Sequence, residues 1–287
     1  MTLASIHTSA MLVKLSISTW TARRFDKMVT DEVNAARGAA SDAGRYNKHL
    51  LSGDTFRAVS KVASDTRTQH YANTLAWTDE GWRLLPTANW DAYTALMRDL
   101  RTQFTAALAA FVSDYPTLKE LARQRLNGMF RDADYPAPHE MADKFKFSVD
   151  FSPVPASGDF RLNLPQAQLD AVEASVESRV QVATSEAMRE VWGRLYGTVK
   201  AMRDRLSDPK AIFRDSLVNN ARDLTELLTR LNVTGDPDLE RMRVAVRDGL
   251  TGLDAQSLRT DTGARAQTAQ KASEILSAMS AAFPVKS

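Results

Sequence analysis

The chain has 287 residues, with 37 Lys and Arg against 35 Asp and Glu, and no cysteine. That length supports one large domain or two modest ones, and a net charge of +2 builds no strong field for nucleic acid or membrane into the whole chain. Without thiols, disulfides, thiol catalysis, cysteine-based zinc sites and iron–sulfur ligation are excluded.

The first element is a strand over 12–18, where Val13, Leu15 and Ile17 alternate with Lys14, Ser16 and Ser18. Helix periodicity follows: Phe25, Met28, Val29 and Val33 share one face of "TARRFDKMVTDEVNAA", and a second helix spans about 55–76. "TDEGWRLLP" breaks it, a long helix opens after Pro86, and Pro116 marks a further start, with helix to about Phe130. Phe145, Phe147, Val149 and Phe151 then alternate, as do Phe160, Leu162 and Leu164, with Pro153, Pro155 and Gly158 between them. That is a hairpin pattern. A lone hairpin is marginal in water, so the strand at 12–18 is expected to complete a three-stranded sheet with the hairpin over 144–164.

From Pro165 to Ser207 nothing breaks a helix, which gives roughly 40 residues and about 60 Å at 1.5 Å per residue. Leu169, Val180, Val191 and Met202 repeat every eleven residues, as do Val176 and Ala187. An eleven-residue repeat makes a nearly straight seam. This seam is either internal core or an interface between copies. Helices at about 210–232, up to Leu250 and at about 254–283 can cover part of it. The expected fold class is therefore mainly α, with a small three-stranded sheet. An α+β head over 1–165 and a long-helix stalk or helical hairpin over 166–287 are the expected domains.

No phosphate-binding loop, dinucleotide fingerprint or nucleophile elbow is present. "HEMAD" (His139, Glu140, Asp143) lacks the second histidine a zinc helix needs. Asp132 and Asp134 are read as a solvated acidic loop. No catalytic, cofactor-binding or metal-binding residue is assigned, and a carboxylate-based enzyme would have no selected pair to work with. Trp77, Trp82 and Trp90 fall within fourteen residues. They suit a packed elbow, a partner surface or base stacking; Trp77 and Trp82 are taken as the candidate partner contact. Leu169, Val176, Val180, Ala187, Val191 and Met202 are the candidate oligomer seam. Residues 1–75 carry ten Lys and Arg against six Asp and Glu. Lys14, Arg23, Arg24, Lys27, Lys144 and Lys146 form the candidate nucleic-acid contact, with an ordinary solvated surface as the alternative. No run of about 18 apolar residues suits a bilayer, and residues 1–20 lack a signal-peptide pattern, so a cytoplasmic protein without membrane contact is expected.

"LVKLSISTWTARRFDKMVTDEV", "DKFKFSVDFSPVP" and "GDFRLNL", followed by a long helical half, resemble the phage-associated family of unknown function DUF3150. The resemblance implies bacteriophage origin, action in the bacterial cytoplasm and work beside AAA+ ATPases. It transfers no functional residues. The expected function is a non-enzymatic, oligomer-forming scaffold or adaptor acting through protein contacts, without cofactor. The alternative is a single-stranded nucleic-acid-binding protein of phage DNA metabolism.

Overall fold

The computed structural model describes residues 6–77, 81–156 and 165–282. The fold is mainly α, with long helices and small antiparallel sheets, as the periodicities predict. Residues group into two compact units that share the chain in alternation: 1–14, 71–93 and 150–287 form the first, and 15–70 and 94–149 the second. The boundary expected at 165 falls inside the first unit.

Nine residues, Ala10–Ser18, form β1. Its antiparallel partner is β5 (Trp82–Pro86), with Met11 opposite Leu85 and Val13 opposite Arg83. β5 also pairs with the two-residue strand β4 (Leu75–Ala76), and β6 (Lys146–Pro153) completes the order β4-β5-β1-β6. The stretch "WRLLP", read as a break, is thus the strand that β1 pairs with. Five residues are too few for alternation to show, and both Leu84 and Leu85 are fully buried, so the strand carries no polar face to reveal its period. Phe160, Leu162 and Leu164, expected as the return strand of the hairpin, lie outside the described residues.

The first unit is built on α5 (Gln166–Ser207), whose 42 residues run about 63 Å at 1.5 Å per residue. It packs against α6 (Ser216–Leu231) and α9 (Thr262–Ala282), and α7 (Pro237–Leu250) packs on both of those. Val180, Ala187, Val191 and Met202 are buried here among Val218, Leu228, Ala269, Ala272, Leu276 and Met279. These four seam positions are therefore core of the chain itself, which corrects their reading as a surface for association. Leu169 and Val176 are half-buried. The helix expected over about 254–283 supplies much of the cover, because Ala269 and Ala272 let α9 come close to α5. Asp236 fixes the entry to α7: its Oδ1 accepts from the Asp238 and Leu239 amides at 2.9 and 3.3 Å. Its Oδ2 accepts the Trp192 indole N–H at 3.0 Å, tying that cap to the buried face of α5.

The second unit holds a two-stranded ribbon, β2 (Arg23–Phe25) and β3 (Asn47–His49), and the helix α2 (Lys27–Ala36) between them. Asp26 caps α2 by accepting from the Val29 amide at 3.3 Å, so Arg23 and Arg24 precede the helix and lie in β2 while Lys27 opens α2. Two long helices furnish most of the core: α3 (Asp54–Asn73), residues 54–70 of which belong here, and α4 (Trp90–Leu126), which contributes residues 94–126. α4 runs straight through Pro116, which was expected to start a new helix. An internal proline costs a helix about 3 kcal/mol. Buried Tyr115 and Leu118 on either side offset that cost, and the Tyr115 hydroxyl donates to the Pro136 carbonyl at 2.8 Å. Phe56, Phe111, Phe145 and Tyr115 meet edge-on or tilted in this core.

Candidate functional site

A groove of about 640 Å³ opens on the first unit between α5 and α6. Its floor is one face of α5: Glu190, Gly193, Arg194, Gly197, Thr198 and Ala201. Their spacing of three and four residues stacks them along a single stripe. Leu217, Asn220, Leu224 and Leu227 of α6 form one wall, and Tyr71 and Ala72 close one end. α6 is strongly amphipathic. Its Val218, Ala221 and Leu228 go into the core, while Leu217, Leu224 and Leu227 are only half-buried along the groove.

The glycines set the depth. A Cβ placed on Gly193 or Gly197 would meet no atom within 4 Å. Glycine inside a helix costs about 0.8–1.0 kcal/mol relative to alanine. Close helix packing usually justifies that cost, yet among the described residues nothing approaches either position. Together with Ala201 they leave a flat strip of backbone facing solvent.

The polar end of the groove is rigid. Glu190 Oε1 and Oε2 accept from one guanidinium nitrogen of Arg83 at 3.0 and 3.1 Å, and Oε1 also accepts from Arg194 at 2.6 Å. The Ala76 amide donates to Oε2 at 2.6 Å. Arg194 donates further to the carbonyls of Tyr71, Ala72 and Thr74, satisfying the open C-terminal end of α3. Burial alone would raise the Glu190 pKa, but the Arg194 hydrogen bond, the charges of Arg194 and Arg83 and the Ala76 amide hold it below the usual carboxylate value. Burial depresses the Arg83 pKa, against the pull of Glu190. Two guanidiniums share one carboxylate, so this end carries a surplus positive charge.

The tryptophans proposed for a partner lie elsewhere in the same unit. Trp77 and Trp82 are half-buried against its core, and the Lys14 ammonium sits 6.0 Å from the Trp82 ring centroid. Lys14 belongs to the first unit and the other five candidate cations to the second. Arg23, Lys27, Lys144 and Lys146 are exposed on the second unit, Lys144 in a short 3-10 turn and Lys146 on β6. Arg24 reaches Asp134 at 3.6 Å. Sequence reasoning missed the charged centre beneath them. Lys48, only 2 % exposed, places its ammonium 3.1 Å from Asp26 and 2.8 Å from Asp134, and donates to the Met129 carbonyl at 2.8 Å. Burial works against the charged lysine, yet hydrogen bonds to Asp134 and Asp26 raise its pKa on balance. The Lys48 hydrogen bond lowers that of Asp26 despite burial. Two carboxylates and a carbonyl surround the ammonium, so this is a structural clamp.

His139 and Glu140 occupy an exposed 3-10 turn, and Asp132 pairs with Lys119 and Arg123. Among the described residues no group of three His, Asp or Glu side chains could hold a metal ion. No described helix is long and apolar enough to cross a membrane. The fold and groove define a helical protein with an open, helix-lined trough. No family model, curated protein or solved structure matches the chain.

Proposed function

We propose that the protein is a non-enzymatic helical adaptor or scaffold that receives an amphipathic helix of another protein in the α5–α6 groove. One observation carries this reading: Gly193 and Gly197 sit mid-helix over open space, at a cost to the chain and with no packing use inside it. A stripe of small residues allows an incoming helix backbone to approach closely, and Leu217, Leu224 and Leu227 offer it an apolar wall. The surplus guanidinium at the Glu190 end favours an acidic residue at the corresponding end of the ligand helix. Self-association, where it occurs, uses this groove rather than the seam of α5. The resemblance to DUF3150 makes an AAA+ ATPase encoded by the same phage the first partner to try.

The test is a photo-crosslinking amino acid at Leu224 in cells that make the partner, with the joined peptides read by mass spectrometry. The expected product joins α6 to an amphipathic helical segment of another chain, and Gly193→Leu with Gly197→Leu abolishes it. Crosslinks confined to this chain, or unchanged in the double variant, overturn the proposal.

A further inference from the structure

The ribbon of the second unit separates its charges by face. Alternation puts Arg24 and Lys48, opposite each other, on the inner side, where Lys48 neutralises Asp26 and Asp134. Arg23 and Phe25 of β2, with His49 and Asn47 opposite them, take the outer side. All four are exposed. The Arg45 guanidinium lies 4.4 Å from the Phe25 ring centroid, and that ring remains 39 % exposed. Arg125 donates to the His49 carbonyl at 2.7 Å, and Arg131 reaches the Met28 sulfur. Lys27 and Arg45 thus line one hollow with the Phe25 ring and Arg23 shares its strand face, and among the described residues none of the three has a carboxylate partner within ion-pair distance. Asp31 and Asp42 line the same hollow as Lys27 and Arg45, and Arg23 is not part of that lining.

This arrangement is held in place. The Tyr46 amide donates to the Thr30 hydroxyl at 3.0 Å, the Asp26 amide to the Tyr46 carbonyl at 3.0 Å, and buried Asn34 to the Ser41 carbonyl at 3.1 Å. The strand, its return and the loop carrying Arg45 therefore share one rigid frame. The charge of the chain is also partitioned. The second unit has seventeen Lys and Arg against thirteen Asp and Glu, and the first has twenty against twenty-two. The chain's small net positive charge conceals a basic unit and a slightly acidic one.

We infer that the outer face of the β2–β3 ribbon binds single-stranded nucleic acid, with Arg23, Arg45 and Lys27 on successive phosphates and Phe25 stacked on a base. A flat cation-rich strand pair with an exposed ring suits single strands, whose bases are free to stack. The two requirements meet at Phe25, since the guanidinium of Arg45 lies against its ring and can serve both the ring and an adjacent phosphate.

The experiment is fluorescence anisotropy of a labelled oligo-dT of about 15 nucleotides with the full chain, between about 50 and 200 mM salt. Three phosphate contacts predict a slope of log K against log salt near −2, at about −0.7 per contact on single strands. Arg23→Ala with Arg45→Ala should reduce the slope by about 1.4. Phe25→Ala should weaken binding about tenfold with the slope unchanged, as loss of stacking does. Lys61→Ala, an exposed cation on α3 of the same unit, should change affinity less than about twofold. Circular dichroism confirms that each variant is folded. Absence of binding at low salt overturns the inference. So does equal weakening by Lys61→Ala, and so does a duplex that binds as tightly as oligo-dT.

Discussion

Replacing Lys48 by methionine isolates what the buried clamp does. The substitution keeps the length of the side chain and deletes the ammonium that serves Asp26, Asp134 and the Met129 carbonyl. Two nearly buried carboxylates then lose their central cation, and the exposed Arg24 guanidinium, 3.6 Å from Asp134, compensates them only in part. Removing one partner of a buried charge network costs about 3–5 kcal/mol, chiefly because the remaining charges stay desolvated. With a urea m-value of about 1–3 kcal/mol/M, the unfolding midpoint of the second unit should fall by on the order of 1–3 M. Urea titration followed by tyrosine and tryptophan fluorescence measures this, with Trp20 reporting on the aromatic cluster of that unit. The sign of the pH response gives a second check. In the native protein the Asp26 pKa is depressed, so its contribution is complete above the ordinary carboxylate value and is lost as pH falls through the lower folded value. In Lys48→Met the partly compensated carboxylates gain stability by taking up a proton, so the midpoint should rise as pH drops from about 7 to about 5. A midpoint that moves by less than about 0.3 M, or a variant whose pH profile parallels that of the native protein, would refute the reasoning.

Gly197→Ala should stabilise α5 by about 0.5–1 kcal/mol, since the new methyl group meets nothing; thermal melting that shows a loss instead would mean that the groove is closed in solution. Asp236→Ala removes both the cap of α7 and the Trp192 bond and should cost about 2 kcal/mol, whereas Asp236→Asn should recover most of it; chemical denaturation of the two variants decides. Glu190→Gln should flatten the stability profile between about pH 3 and 5, because the depressed Glu190 pKa contributes above its unfolded value and is lost as pH falls through the folded one; an unchanged acid limb would show that the arginines do not act on it.

The long elements were legible because periodicity accumulates. The 42 residues of α5 repeat their apolar positions many times, and the absence of Gly or Pro from its first half leaves little else to form. Short elements gave no such signal. β5 has five residues and β2 and β3 have three each, and their pairing is fixed by what lies across from them. That α6 and α9 cover α5 was expected, but how closely α9 does so was hidden for a related reason. Hydropathy credits large side chains, but the α9 face works through Ala269 and Ala272, whose value is the closeness they allow. The groove was visible only as "GRLYGTVKA", a stripe of small residues that reads as unremarkable helix until the structure shows nothing above it. The Lys48 clamp joins residues from three separate stretches, and no local pattern announces it.

The alternating use of the chain by the two units has a consequence for its synthesis. Every residue of the second unit has been made once Val149 is added, while the core of the first still lacks all its helices from residue 166 onward. At about 5–20 residues per second the remainder takes on the order of 10 s. During that interval β1, β4 and β5 can pair, but Leu12, Leu75 and Leu84 have no helices to cover them. The N-terminal strand of a newborn chain is therefore held ready long before its core arrives. No single truncation yields either unit on its own, and a nascent chain stalled after residue 149 would present a finished second unit together with an exposed apolar sheet.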